Sequence, residues 1–92
     1  MRIAEVIGRV TLSRKHPNLP AARLLITLPM PLEALSGESK NRGEEVVAFD
    51  DLGAGPGDLV GLSEGREAAN PFGKTKVPVD AYCACILDAI TL

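Results

Sequence analysis

Apolar residues in this chain come in short runs, each cut off within a few positions by proline, glycine or charge. Residues 2–12 alternate loosely, with Ile3 and Ile7 on one face and Ala4, Val6 and Val10 on the other. That spacing predicts a strand bent at Gly8, where a missing side chain suits a barrel corner or a bulge. Residues 23–28 (RLLITL) predict a second strand, terminated by Pro29 and Pro31. Residues 45–49, 59–62 and 81–87 predict three more, and residues 88–92 either continue the last or turn back. Residues 13–22 read as a turn-rich loop, and residues 32–44 as a polar, exposed one. Residues 63–70 (SEGREAAN) fit one or two helical turns with Ser63 as N-cap, ended at Asn70-Pro71. No stretch sustains a helical period, so the fold class is mainly all-β. Five or six short strands with one brief helix describe a small barrel of the OB type or a compact sandwich.

The strands carry a second message. A half-buried strand alternates apolar and polar residues, yet Leu24-Leu25-Ile26 and the run AYCACIL over residues 81–87 are apolar on both faces. One face can fill a core. The other would lie on the surface of a small domain, and large exposed apolar patches mark contact sites. The pattern predicts that this outer face meets another copy of the chain; the alternative is that the loops fold over these strands within one subunit.

Between the third and fourth strands stands DDLGAGPGD, residues 50–58, rich in glycine and proline. Glycine serves where φ must be positive or another backbone comes close. A phosphate-binding G-x-G-x-x-G loop should open a helix, whereas the residues after this loop read as a strand. The segment is therefore a shaped loop that presents backbone.

Composition narrows the function classes. The 92 residues are expected to form one domain, residues 1–92, with a core of Val, Leu, Ile and Ala, since aromatics are only 3% of the chain. A net charge of −2 provides no basic field for a phosphate backbone. No apolar run approaches the roughly 20 residues that span a bilayer, and the N-terminus lacks a signal-peptide pattern. A soluble, cytosolic chain is expected, without a membrane or nucleic-acid partner. Cys83 and Cys85 lie two apart in an extended run, so both should point to one face as small packed side chains. The sole histidine, His16, is distant from them, so neither a metal, a cofactor nor a nucleophilic triad is expected. Asp50 and Asp51 should face opposite ways if extended, which argues against paired acid–base chemistry. The chain reads as a non-enzyme.

Three segments in order carry a family resemblance. MRIAEVIGRVTLSRKHPNLPAARLLIT, VVAFDDLGAGPGDLV and VPVDAYCACILD are together similar to the bacterial microcompartment vertex proteins of the EutN/CcmL type. The family often has glycine where Ala22 stands, and its middle loop varies too much to compare. The resemblance implies a five-stranded OB-like barrel assembling as a homopentamer. It further implies a structural role, capping the vertices of a cytoplasmic protein shell beside hexameric shell proteins. Under it, Gly53, Ala54, Gly55, Pro56 and Gly57 from five copies would converge on a fivefold axis. Leu24, Leu25, Ile26, Asp80 and Tyr82 become candidates for the subunit interface. For Asp80 the competing reading is a local turn with the carboxylate as acceptor. The basic cluster Arg14-Lys15-His16 would face solvent or a neighbouring tile. The alternative for the whole chain is an OB-fold module binding a small ligand, a protein or single-stranded nucleic acid, although such binders use aromatic platforms in a basic groove.

Overall fold

The computed structural model describes residues 1–20, 23–74 and 76–92. Strands β1 (Arg2–Val10), β2 (Arg23–Pro29), β3 (Val46–Asp50), β4 (Leu59–Glu64) and β5 (Ala81–Ile86) close into a barrel ordered β1-β2-β3-β5-β4. Neighbours run antiparallel, except that β3 and β5 meet in parallel at Phe49 and Tyr82. The expected OB-like barrel is what forms, and the sandwich is set aside. Ala22, the position singled out in the family comparison, lies outside the described residues.

Alternation decides what fills the barrel. Ala4 and Val6 of β1, Leu25 of β2, Ala48 of β3, Val60 and Leu62 of β4, and Ala81 and Cys83 of β5 form one buried cluster, joined by Ala54. The set is dominated by small side chains because five strands enclose little space. Thr27 is a polar member of the interior, and its hydroxyl donates to the Val46 carbonyl at 2.8 Å. A second cluster lies outside the wall, where Phe49, Ala68 and Val79 are covered by Leu19, Leu24, Phe72, Val77 and Tyr82.

Strand irregularities sit near the glycine of β1 and between the cysteines of β5. In β1 the register passes from Val6–Thr27 to Gly8–Ile26, leaving Ile7 as the extra residue of a bulge. In β5 it passes from Leu62–Cys83 to Gly61–Cys85, leaving Ala84 unpaired. That shift corrects the expectation that both cysteines share a face. Cys83 points into the barrel opposite Leu62, while Cys85 turns outward opposite Gly61. A Cβ on Gly61 would stand 2.7 Å from the Cys85 sulfur and 2.8 Å from that of Met1, so a side chain there would collide.

The connections differ from expectation at two places. Within residues 32–44, a helical turn α1 (Leu32–Leu35) forms after Pro31. The turns expected over residues 63–70 are displaced to a 3-10 helix spanning Gly65–Phe72. Ser63 is not its cap, because β4 stays in register through Ser63–Tyr82 and Glu64–Ala81. Gly65, with φ of 73°, supplies the left-handed turn that leaves the strand, and its N–H donates to the Asp80 carbonyl at 2.9 Å. Pro71 is accommodated inside this helix rather than ending it. Its fixed φ suits a 3-10 turn as well as an α one.

Candidate functional site

The loop between β3 and β4 is held by its own carboxylates. Asp50 is fully buried and accepts from the backbone N–H groups of Leu52, Gly53 and Ala54 at 3.1, 3.0 and 3.1 Å. Asp58 repeats the device at the far end, accepting from Gly55 N–H at 2.8 Å. The Gly57 N–H reaches the Val6 carbonyl at 2.8 Å and the Val6 N–H reaches the Asp58 carbonyl at 2.9 Å, tying the loop to β1. From β2, the Arg23 guanidinium donates to the Ala54 carbonyl at 2.7 Å. Gly53 and Gly57 have φ near 90°, a conformation closed to most side chains. Gly53, Pro56 and Gly57 are exposed and Gly55 half-exposed.

Ala54 requires a correction. Its methyl is fully buried in the barrel cluster, so it plugs one end of the subunit's own core and cannot border an opening. The same holds for Leu25 among the interface candidates. Leu25 is 1% exposed inside the barrel, opposite Ala48, whereas its neighbours Leu24 and Ile26 point outward and are half-buried. Beside Ile26 the outer wall of β1, β2 and β3 carries Ile7 and Val47, 46% and 48% exposed. The apolar outer face read from the strand pattern is therefore present.

Tyr82 stacks on Phe49 at 5.9 Å between ring centroids, and Phe72 packs edge-on against both. Its hydroxyl donates to the Asp51 carboxylate at 3.1 Å. Burial pushes the phenol pKa up, and the bond to Asp51 adds to the shift. Asp80 is exposed at the entrance to β5. Its backbone carbonyl, not its carboxylate, makes the local turn contact to Gly65. Asp50 and Asp51 do face opposite ways, one into the loop and one toward Tyr82.

Chemically reactive groups are muted. The Cys83 thiol is driven up to about 12 by burial first and by the nearby Asp50 charge second, so it stays protonated at neutral pH. His16 accepts a hydrogen bond from the Asn18 N–H within its own loop. Among the described residues, no three His, Cys, Asp or Glu side chains gather closely enough to hold a metal ion. The three aromatics bury one another instead of standing as a platform for bases, which weighs against single-strand binding.

Sequence reasoning missed the pinning roles of Asp50, Asp58 and Arg23. The available signal was an aspartate at each end of a glycine-rich segment, since aspartate readily accepts from backbone N–H groups a few residues on.

A filled barrel with a pinned, glycine-rich loop at one end and an apolar outer wall defines an OB-like protein whose surfaces, rather than an internal cavity, are available for its work. The chain belongs to the family described as ethanolamine utilisation protein EutN/carboxysome, which matches residues 1–88. Among its relatives, the microcompartment shell vertex protein PduN of Salmonella typhimurium is 33% identical over 99% of both chains. Among solved structures, the pentameric shell protein MSM0273 from the RMM microcompartment superposes with a TM-score of 0.79. It is 30% identical, over 96% of this chain and 91% of that one. The pentameric microcompartment shell protein GrpN from Rhodospirillum rubrum gives 0.81 at 26% identity, over 100% and 99%.

Proposed function

We propose that this protein is a structural subunit that closes as a homopentamer and caps the vertices of a bacterial microcompartment shell in the cytoplasm. The observation that carries the reading is the outward apolar wall of Ile7, Ile26 and Val47 on a barrel whose interior is already full. An outward apolar wall of that kind marks a contact surface. Its family relatives are shell vertex proteins, and two solved relatives are pentameric. A ring of five requires a heterologous contact, one surface of a subunit meeting a different surface of the next. Leu24, Ile26, Tyr82 and Asp80 lie on faces available to such a contact.

In the ring, Gly53, Gly55, Pro56 and Gly57 border the fivefold axis as backbone and small side chains, with Ala54 supporting them from inside each barrel. Hexameric shell proteins are the expected neighbours beyond the ring. No catalytic step is assigned to the chain, since its buried carboxylate is occupied by backbone donors and its buried thiol is protonated. Light scattering on the purified protein at micromolar concentration tests the reading: a mass of five chains is expected, and a monomer or a dimer would overturn it.

A further inference from the structure

A cleft of about 350 Å³ opens where the end of β1, the loop that follows it and the start of β2 come together against β3. That size falls at the low end of small-molecule sites. Leu12, Leu24 and Phe49 belong to its apolar lining, and Arg9, Lys15 and Arg23 stand around it. Among the described residues, none that lines it is acidic. A mostly apolar lining with a few polar groups is the ordinary composition of a ligand pocket.

The stretch of chain that builds this cleft is basic without compensation. Between Glu5 and Glu33 there is no Asp or Glu, yet Arg9, Arg14, Lys15, Arg23 and the sole histidine fall there. The excess is local, since the whole chain has a net charge of −2. Asp50 pairs with Arg23 in the sheet, but its buried carboxylate is given to the N–H groups of its own loop. Arg9, Lys15 and Arg23 are exposed and enter neither of the ion pairs found among the described residues, which join Arg2 to Glu64 and Arg42 to Glu5.

Two of the three cationic heads are already held in place. Lys15 Nζ donates to the Leu19 carbonyl at 2.7 Å, and the Leu19 N–H donates to the His16 carbonyl at 3.0 Å, so the loop closes on itself around this cation. Arg23 is fixed by its bond to the Ala54 carbonyl. Each keeps further N–H donors. Arg9 makes no side-chain hydrogen bond among the described residues, which leaves its planar fork of donors available.

We infer that this cleft binds a small organic anion, a carboxylate or phosphate head held by Arg9 and Lys15 on a short aliphatic or aromatic body that lies against Leu12, Leu24 and Phe49. A guanidinium recognises either head with two parallel hydrogen bonds. An inorganic anion would leave the apolar lining wet, and a neutral apolar molecule would leave the cations unmatched. The site goes beyond the shell role and does not depend on the ring.

Titration of the whole chain, in the assembly state in which it purifies, tests the site. Phenylpropionate and phenyl phosphate probe the two heads, followed by backbone amide shifts. Saturable binding is expected for at least one, with the shifts centred on Thr11, Leu12, Leu19 and Leu24, and the tighter probe identifies the head group. Phenylpropanamide, the same body without the charge, should bind about tenfold or more weakly than the acid. Arg9→Gln should weaken the anion about tenfold or more and leave both the amide and the thermal melt unchanged. Arg14→Gln removes the same charge nearby but outside the lining, and should alter affinity by less than about twofold. Equal binding of acid and amide, an Arg14→Gln loss as large as that of Arg9→Gln, or shifts centred elsewhere would overturn the assignment. So would a failure of both probes to bind, the result expected if a contact between subunits covers this face.

Discussion

Arg23 on β2 and Ala54 in the loop before β4 are joined by a 2.7 Å hydrogen bond from guanidinium to carbonyl. The same Ala54 gives its N–H to Asp50, the residue that pairs with Arg23 in the sheet. Loop, β2 and β3 are thereby locked to one another by a closed circuit of two side chains and one backbone unit. The loop is a rigid extension of the barrel.

Asp50 is the member of that circuit with most to lose. Replacing it with alanine strands the N–H groups of Leu52, Gly53 and Ala54, at about 1–3 kcal/mol for each that water cannot reach. A loss of roughly 3 kcal/mol or more is expected in urea unfolding. Asp50→Asn should recover part of it, since one amide oxygen can still accept. An Asp50→Ala protein as stable as wild type would show that the loop is held by other means.

Substitutions in the loop should separate folding from assembly. A Cβ on Gly55 meets nothing within 4 Å, and its φ is not positive, so Gly55→Trp is tolerated by a single subunit. In a ring, five such indoles would crowd the axis and hinder closure. Ala54→Trp should instead destabilise the subunit outright, by overpacking a filled core at a cost of about 1–3 kcal/mol or more. Thermal melts and mass measurement on both variants check the pair. Normal pentamers from Gly55→Trp would place the loop away from the axis.

Val47→Glu probes the outer wall. The side chain is 48% exposed, so the charge costs the isolated subunit little, within about 0.5 kcal/mol. Buried in an intersubunit contact it would be an unpaired carboxylate, and the pentamer should dissociate. The expected result is a folded monomer by light scattering. Intact rings would show that this wall stays open to water.

Cys83 sets an alkaline limit. Its folded pKa, pushed up to about 12, lies above that of an unfolded thiol, near 8.5. The folded state therefore holds a proton that the unfolded state has released. Its stabilising effect is complete below about pH 8.5 and is lost as the pH rises toward 12, at about 1.4 kcal/mol per pH unit. Cys83→Ala should flatten that slope. At pH 8 a thiol reagent should modify half-buried Cys85 and spare Cys83 until the protein is unfolded. Equal labelling of both would contradict the burial.

Strands were legible because each is a short apolar run closed off by proline, glycine or charge, and the doubly apolar runs gave away the outer wall. Side-chain direction within them was less legible. The bulge at Ala84 sends Cys83 and Cys85 to opposite faces, and a bulge depends on register against β4, which β5 does not encode alone. Ser63 looks like a helix cap in isolation, but pairing with Tyr82 holds it in the sheet. Leu25 and Ala54 were assigned outward roles because their neighbours suit them. Only barrel closure reveals that both are needed as filling.

The stuffed interior of the barrel has a bearing on traffic. With Val6, Leu25, Val60 and Leu62 closing the lumen of each subunit, a solute crossing a corner of the proposed shell has no path through a chain, only a seam between chains. Permeability would then be a property of the assembled ring, adjustable by a single methyl at Gly55, where an added Cβ meets nothing within 4 Å and φ is not positive.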